Sequence, residues 1–150
     1  MGLQQKVMDE MKMAMKAKDT VALESLRAIK SSILIAQTEK KAGTELSEDE
    51  ELKLLQKLVK QRKDSAAIYS EQGRADLAEP ELAQAATIER FLPEQLTEEE
   101  IEVVVVRIIE ETGASGMKDM GKVMGRAGQE LAGKADGKTI SGIVRSKLGG

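Results

Sequence analysis

Two rows of residues at helical spacing near the end of the chain have the chemistry of a polyanion-binding surface. The first is a basic strip with one cation every four residues: Lys118, Lys122 and Arg126. The second is a glycine strip that would lie beside it on the same helix: Gly121, Gly125 and Gly128. Nucleic-acid phosphates could meet the basic strip while their backbone approaches the bare peptide groups of the glycine strip.

The glycine strip needs an explanation, because each glycine costs a helix about 1 kcal/mol relative to alanine. Three glycines so close together indicate that something packs against the backbone. A neighbouring helix and a nucleic-acid backbone both fit, and the spacing leaves both alternatives open. The other side of this segment is apolar, which predicts contact with a core through Met117, Met120, Met124, Ala127 and Leu131.

The charge distribution also points to the C-terminal end. The formal net charge is −3, but residues 113–150 hold seven Lys and Arg against three Asp and Glu, together with ten of the 13 glycines. Residues 94–112 hold one basic and seven acidic side chains. Lys134 and Lys138 extend the candidate nucleic-acid site. The alternative explanation is that the positive face pairs with the acidic segment before it.

Few residues in this composition could catalyse a reaction. The chain contains no Cys and no His, which removes disulfides, thiolate nucleophiles, the usual zinc ligands and the side chain that titrates near neutral pH. The carboxylate clusters Glu48–Glu51 and Glu98–Glu100 are typical of helix starts. We therefore predict a binding module with no catalytic residue, no metal site and no cofactor.

The aromatic content limits the kind of nucleic acid that could bind. Tyr69 and Phe91 are the only aromatic residues, which gives too few rings to stack the bases of a single strand. Recognition of a folded RNA by its shape and backbone remains open.

Hydrophobic spacing predicts an all-α protein with an N-terminal four-helix domain in residues 1–93 and a C-terminal three-helix bundle in residues 94–150. The expected N-caps are Asp19 or Thr20, Ser47 with Glu50, Asp76, Thr97 with Glu100, Ser115 and Asp136. The expected helix stops are Gly43, Gly73, Gly113 and Gly133. Pro80 is expected in the first turn of the fourth helix, because proline lacks the amide hydrogen that later turns need.

Arg62 falls on the apolar stripe of the third predicted helix, where a leucine would fit the pattern. An arginine there is either paired with a carboxylate or positioned for a ligand. Together with Arg74 it defines a second candidate site, a surface for a protein partner that carries carboxylates.

No segment is apolar enough to suggest a membrane protein. The longest apolar runs are four residues each, Ile33–Ala36 and Val103–Val106, whereas a membrane span needs about 20. The N-terminus also lacks the basic and apolar pattern of a signal segment. We expect a soluble cytoplasmic protein.

Four motifs in order resemble the YqeY family of small bacterial proteins. They are residues 60–65 (KQRKDS), 73–77 (GRADL), 91–96 (FLPEQL) and 118–125 (KDMGKVMG), the last followed by ADGK at 135–138. The part from about Thr97 is also similar to the tail domain of GatB, a subunit of the glutamine-dependent amidotransferase that corrects mischarged Glu-tRNA and Asp-tRNA.

The resemblance implies an all-helical, two-domain fold and the family label of carbon-nitrogen ligase activity with glutamine as amido-nitrogen donor. It also implies that the C-terminal domain is a contact surface for tRNA, which maps onto the basic and glycine strips. Our expectation is a non-catalytic protein that binds tRNA or a tRNA-handling complex through this domain. The alternatives are a protein-interaction module without RNA binding and a stand-alone amidotransferase.

Overall fold

The computed structural model describes residues 2–40 and 45–149, and all the regular structure in these two ranges is helical. The all-α prediction is confirmed. The helices are α1 (Leu3–Ala17), α2 (Thr20–Glu39), α3 (Glu48–Glu71), α4 (Ala75–Glu89), α5 (Glu98–Thr112), a 3-10 helix (Met117–Asp119), α6 (Met120–Glu130) and α7 (Gly137–Gly149). They form two compact units, Met1–Leu92 and Pro93–Gly150. None of the helices in the described ranges has the length and hydrophobicity needed to cross a bilayer.

The first unit packs α1 on α2, α2 on α4 and α3 on α4. Its core includes Leu26, Ile29, Leu55 and Ile88, all buried. Short-range signals set the helix ends. The Asp19 carboxylate accepts the amide hydrogen of Ala22 at the start of α2, and Ser47 and Glu50 form the predicted capping box of α3. Helix α2 ends at Glu39, earlier than expected, and the predicted stop at Gly43 lies outside the described residues.

The start of α4 differs from the prediction. Arg74 occupies the N-cap position without a side-chain cap, and Asp76 lies in the first turn, where it pairs with Arg74. Pro80 therefore lies beyond the first turn, inside the helix. Proline at this position cannot donate to the carbonyl of Asp76. Burial of Ala78, Ala85 and Ile88 on the core side continues the helix past it.

The second unit is a bundle of α5, α6 and α7 around one core. Thr97 and Glu100 form the predicted capping box, and Gly113 ends α5 in the left-handed conformation with φ of 67°. The strand-like run of four valines is helical. Val105 is buried and Val103 is exposed, because residues two apart point to different sides of a helix. Asp136 caps α7 by accepting the amide hydrogen of Thr139 at 2.6 Å.

The beginning of the α6 segment departs from a single helix. Met117 lies on the 3-10 helix and is 46% exposed, whereas Val123, absent from the predicted apolar side, is fully buried. A 3-10 helix has three residues per turn, so it does not keep the register of the α-helix that follows. Ser115 is not a cap. Its amide hydrogen is instead accepted by the Asp119 carboxylate.

We expect Val123→Ala to lower the free energy of unfolding by about 2 kcal/mol, because it removes buried methyl groups and leaves a cavity. Met117→Ala should cost less than about 1 kcal/mol, because much of that side chain is already in water. Urea unfolding followed by circular dichroism measures both. Equal losses would contradict this assignment of the core side of α6.

Candidate nucleic-acid interface

The orientation of α6 is fixed by its buried residues. Val123 and Ala127 are both fully buried in the core of the second unit. Gly125 lies two residues from each, about 200° around the helix axis, and is exposed, as are Gly121 and Gly128. The glycine strip therefore lies on the solvent side of α6.

The glycine strip has no neighbour within the described chain. A Cβ atom added to Gly121, Gly125 or Gly128 would meet no heavy atom within 4 Å beyond its own helical turn. Packing against another helix of this chain, one of the two explanations of the strip, is therefore not what the structure contains. The bare backbone is open to an external partner.

Lys118 and Lys122 lie beside the glycine strip on the exposed side of the segment. Neither has an ion pair among the described residues. The Lys122 ammonium donates to the backbone carbonyl of Thr112 at 3.4 Å, near the end of α5, where the helix dipole favours a positive charge. Two cations of the basic strip thus keep their charge available to a ligand.

Arg126, the third member of the basic strip, is in a different situation. Its guanidinium lies 2.6 Å from Glu111 of α5 and 3.4 Å from Glu130. Arg107 completes this charge quartet, at 3.3 Å from Glu111 and in an ion pair with Glu130. The expectation that Arg126 belongs to a free basic strip is thus corrected, because antiparallel packing of α5 and α6 brings it to two carboxylates. The spacing of Arg107 to Glu111 and of Arg126 to Glu130 was the available signal.

The charge quartet stabilises the charged form of its members. The guanidinium groups of Arg126 and Arg107 lower the pKa of Glu111, and Arg107 lowers the pKa of Glu130. The Glu130 and Glu111 carboxylates raise the pKa of Arg107. These shifts are typical of ion pairing, not of a general base tuned to neutral pH.

Lys134 and Lys138 lie at the far end of α6 from Lys118 and Lys122. Both are exposed and lack an ion pair among the described residues. Eight residues of α6 separate Lys122 from Glu130, which corresponds to about 12 Å along the axis. The structure therefore divides the predicted nucleic-acid residues into two separate cationic groups.

The loop that carries Lys134 is tied to the segment before α5. The Gln95 side-chain amide donates to the carbonyl of Gly133 at 2.6 Å and to that of Pro93 at 2.8 Å. The Leu96 amide hydrogen is accepted by the carbonyl of Lys134 at 2.9 Å. These bonds hold the loop in place and leave the lysine side chain in solvent.

Arg62 and Arg74, the candidate partner surface, both have polar partners within the first unit. Arg62 is half-buried and donates to the Gln84 side chain at 3.0 Å and to the carbonyl of Leu58 at 3.1 Å. It has no carboxylate partner among the described residues. Arg74 pairs with Asp76 at 2.9 Å, which raises the pKa of Arg74 and lowers that of Asp76. Arg74 is therefore already neutralised.

The first unit also contains a cavity that the sequence did not indicate. Its volume is about 620 Å³, its apolar lining includes Leu3, Leu55 and Phe91, and Glu48 and Glu51 lie on its rim. None of the predicted site residues lines it.

Comparison with known proteins places these features in a family. A family model described as "Yqey-like protein" matches residues 4–148, nearly the whole chain. The chain belongs to the YqeY family. The resemblance seen in the four motifs is confirmed.

Two kinds of relative accompany this YqeY assignment. One is "Altered inheritance of mitochondria protein 41, mitochondrial" of Pyrenophora tritici-repentis, 31% identical over 144 residues, which cover 93% of this chain and 77% of that protein. The other is a glutamyl-tRNA(Gln) amidotransferase subunit of Thermococcus gammatolerans, 38% identical over 73 residues. The match covers 46% of this chain but only 12% of the archaeal protein. This YqeY-family chain thus corresponds to a small part of the amidotransferase relative.

We expect the charge quartet to make stability depend on acid pH. The lowered pKa values of Glu111 and Glu130 mean that the quartet stabilises the fold above the ordinary glutamate pKa of about 4.5, and that this contribution is lost as the pH falls through the lowered values. The melting temperature should therefore fall more steeply below about pH 5 in the natural protein than in Glu111→Gln/Glu130→Gln.

Thermal melts over this pH range measure the difference. Glu94→Gln/Glu110→Gln is the matched control, because both glutamates are exposed in the same unit and have no ion pair among the described residues. Parallel pH curves for the natural protein and the quartet variant would contradict the assignment.

Proposed function

We propose that this YqeY-family protein is a cytoplasmic, non-catalytic tRNA-binding or adaptor protein that contacts folded RNA through the unit Pro93–Gly150. One observation carries the proposal. The solvent side of α6 combines an open glycine strip with Lys118 and Lys122, which have no ion pair among the described residues.

The physical basis is the approach of a phosphate backbone to a helix. Lysine side chains neutralise phosphates and release condensed counterions, which supplies most sequence-independent affinity. The absence of Cβ atoms at Gly121 and Gly125 lets the sugar-phosphate chain come close to α6. Alanine would cost the helix less, so glycine at open positions suggests that the space is used by a ligand.

The composition favours a folded RNA over a single strand. The only two aromatic residues, Tyr69 and Phe91, belong to the other unit, so the proposed surface has no ring on which a base could stack. An RNA helix presents regularly spaced phosphates and hydroxyls to such a surface. The amidotransferase relative is named for glutamyl-tRNA(Gln), and this supports tRNA as the first RNA to test.

The described contacts change the expected share of each cation. Arg126 is held by Glu111 and Glu130, so it contributes less to RNA binding than Lys118 and Lys122. Lys134 and Lys138 form a second cationic group at the other end of α6, able to meet the same backbone about one helix length away.

Lys118→Glu/Lys122→Glu should weaken binding to total tRNA and flatten the slope of log affinity against log salt by about 2, because two phosphate contacts are lost. Filter binding or fluorescence anisotropy over a salt titration measures both quantities.

The matched control is Lys53→Glu/Lys57→Glu on α3. It changes the net charge by the same amount, with the same spacing of four residues, at exposed lysines of the other unit that have no ion pair among the described residues. Equal losses in the two variants would mean that only overall charge matters and would contradict the proposed surface.

Gly121→Ala/Gly125→Ala separates the stability of α6 from its function. Each alanine should raise the free energy of unfolding by about 0.5–1 kcal/mol, because the space is open and alanine favours the helix. The same change should weaken tRNA binding, because the methyl groups occupy the path of the backbone. Thermal melts and the tRNA assay measure the two effects.

Gly142→Ala on α7 is the control for the glycine variant, because this glycine is also helical, exposed and open. It should stabilise the fold and leave tRNA binding unchanged. If the α6 variant is stabilised and binds tRNA as well as the natural protein, the glycine strip has no part in RNA binding.

A protein-interaction module is the second candidate, and the open glycine strip supports it too, since a partner helix could pack there. It differs from RNA binding in its salt dependence. A partner held by helix packing would tolerate Lys118→Glu/Lys122→Glu and fail with the glycine variant. Arg74 gives little support to a carboxylate-binding surface, because Asp76 already neutralises it.

A further inference from the structure

Helix α1 carries an apolar stripe that is separate from its core side. Met8, Met11 and Met15 recur at the spacing of one helix side, whereas the fully buried side of α1 carries Leu3, Val7 and Ala14. Met11 packs partly against the core, but Met8 is 39% and Met15 is 60% exposed. The stripe is therefore largely open to solvent along two turns of α1.

The methionine stripe lies on the side of α1 that faces α2. Gln4, one turn before Met8, accepts a hydrogen bond from the Gln37 side chain of α2 at 3.4 Å. Met8 also lines a small cavity with Ile33 and Gln37. Leu34, 46% exposed, is one helical turn from Gln37. Exposed apolar surface thus continues from α1 onto the neighbouring edge of α2.

This apolar surface is bordered by positive charge on both helices: Lys12 and Lys16 on α1, Arg27 and Lys30 on α2. None of the four has an ion pair among the described residues. The nearby acids of α1 are engaged elsewhere, because Glu10 pairs with Arg90 at 2.7 Å and Asp9 accepts from Gln5 at 3.0 Å. We call the combination of Met8, Met15, Leu34 and these four cations the Met-Lys face.

We propose that the Met-Lys face binds an acidic amphipathic helix of a partner protein. The apolar centre is covered favourably only by apolar side chains, and the cationic border selects carboxylates beside them. Exposed methionines suit such a partner, because their flexible side chains adapt to the ridges of a docked helix. This proposal is independent of RNA binding, since it concerns helices of the other unit.

Two other occupants fit the chemistry less well. A folded RNA would neutralise the lysines and leave the methionine and leucine surface in contact with water. An anionic membrane is usually met by a helix that inserts aromatic and leucine side chains, and this face has no aromatic residue. Charge and apolar area together therefore favour the acidic helix.

The test uses the full chain with carbon-13 labelled methionine methyl groups, followed by nuclear magnetic resonance. The probe is a synthetic peptide of about 18 residues, long enough to form a helix, with leucines along one side and glutamates elsewhere. The control peptide has the same composition in scrambled order, without an apolar side. We expect the Met8 and Met15 methyl signals to shift with the probe, those of Met117 and Met124 to stay, and the affinity to exceed that for the scrambled peptide by about tenfold.

Variants assign the binding to the face. Met8→Gln/Met15→Gln should weaken probe binding about tenfold, and Lys12→Glu/Lys30→Glu should weaken it and reduce its salt dependence. Met13→Gln is the matched apolar control, because Met13 is also exposed on α1 but lines another cavity, with Ala17 and Arg90. Lys53→Glu/Lys57→Glu is the matched charge control, and circular dichroism verifies that each variant is folded.

Three results would overturn the proposal. Equal affinity for the probe and the scrambled peptide would show attraction by charge alone. Stronger perturbation of the Met8 and Met15 signals by total tRNA or by phosphatidylglycerol vesicles would assign the face to RNA or to a membrane. Absence of any shift at about millimolar probe would show that the face does not bind such a helix.

Discussion

The burial of Val123 and Ala127 is the constraint on which the proposed interface depends. A helix of 11 residues with three exposed glycines would not form alone in water, because both its length and its composition disfavour it. Packing of these two fully buried residues in the bundle core holds α6. It also decides the direction of every other side chain on that helix. The glycine strip faces solvent because the core side faces inward.

The second constraint is electrostatic, and it resolves the charge asymmetry of the sequence. Part of the positive charge of residues 113–150 is neutralised by α5, through Arg126 with Glu111 and through Lys147 with Glu102 at 2.5 Å. The pairing explanation of the asymmetry is therefore correct for these residues. The cations without an ion pair in the described chain are those at the two ends of α6 and Arg145 on α7. Internal pairing thus leaves a smaller and better defined cationic surface than composition alone suggested.

The two units carry surfaces of different chemistry, which suits an adaptor. The α6 surface of the second unit is bare backbone with lysines, and our proposal assigns it to a phosphate backbone. The Met-Lys face of the first unit combines apolar and cationic groups, and we assign it to an acidic helix. A chain with both activities would connect an RNA to a protein without catalysing a reaction. Membership of the YqeY family, with relatives that include part of a tRNA amidotransferase, is consistent with such a role.

The sequence by itself determined the features that depend on neighbours a few residues away. The capping boxes at Ser47 and Thr97 and the stop at Gly113 were predictable, because a cap bonds within its own first turn and glycine adopts the left-handed conformation wherever it occurs. The all-α fold followed from the helical spacing of apolar residues.

Only the tertiary structure decided which side of each helix is covered and by what. Spacing could not show that Val123 rather than Met117 is buried, that Arg126 meets Glu111, or that packing carries α4 past Pro80. It also could not show that the glycine strip is open. These outcomes depend on residues far apart in sequence, and the free energy of a buried methyl group, an ion pair or an uncovered backbone is set by what lies opposite it in space.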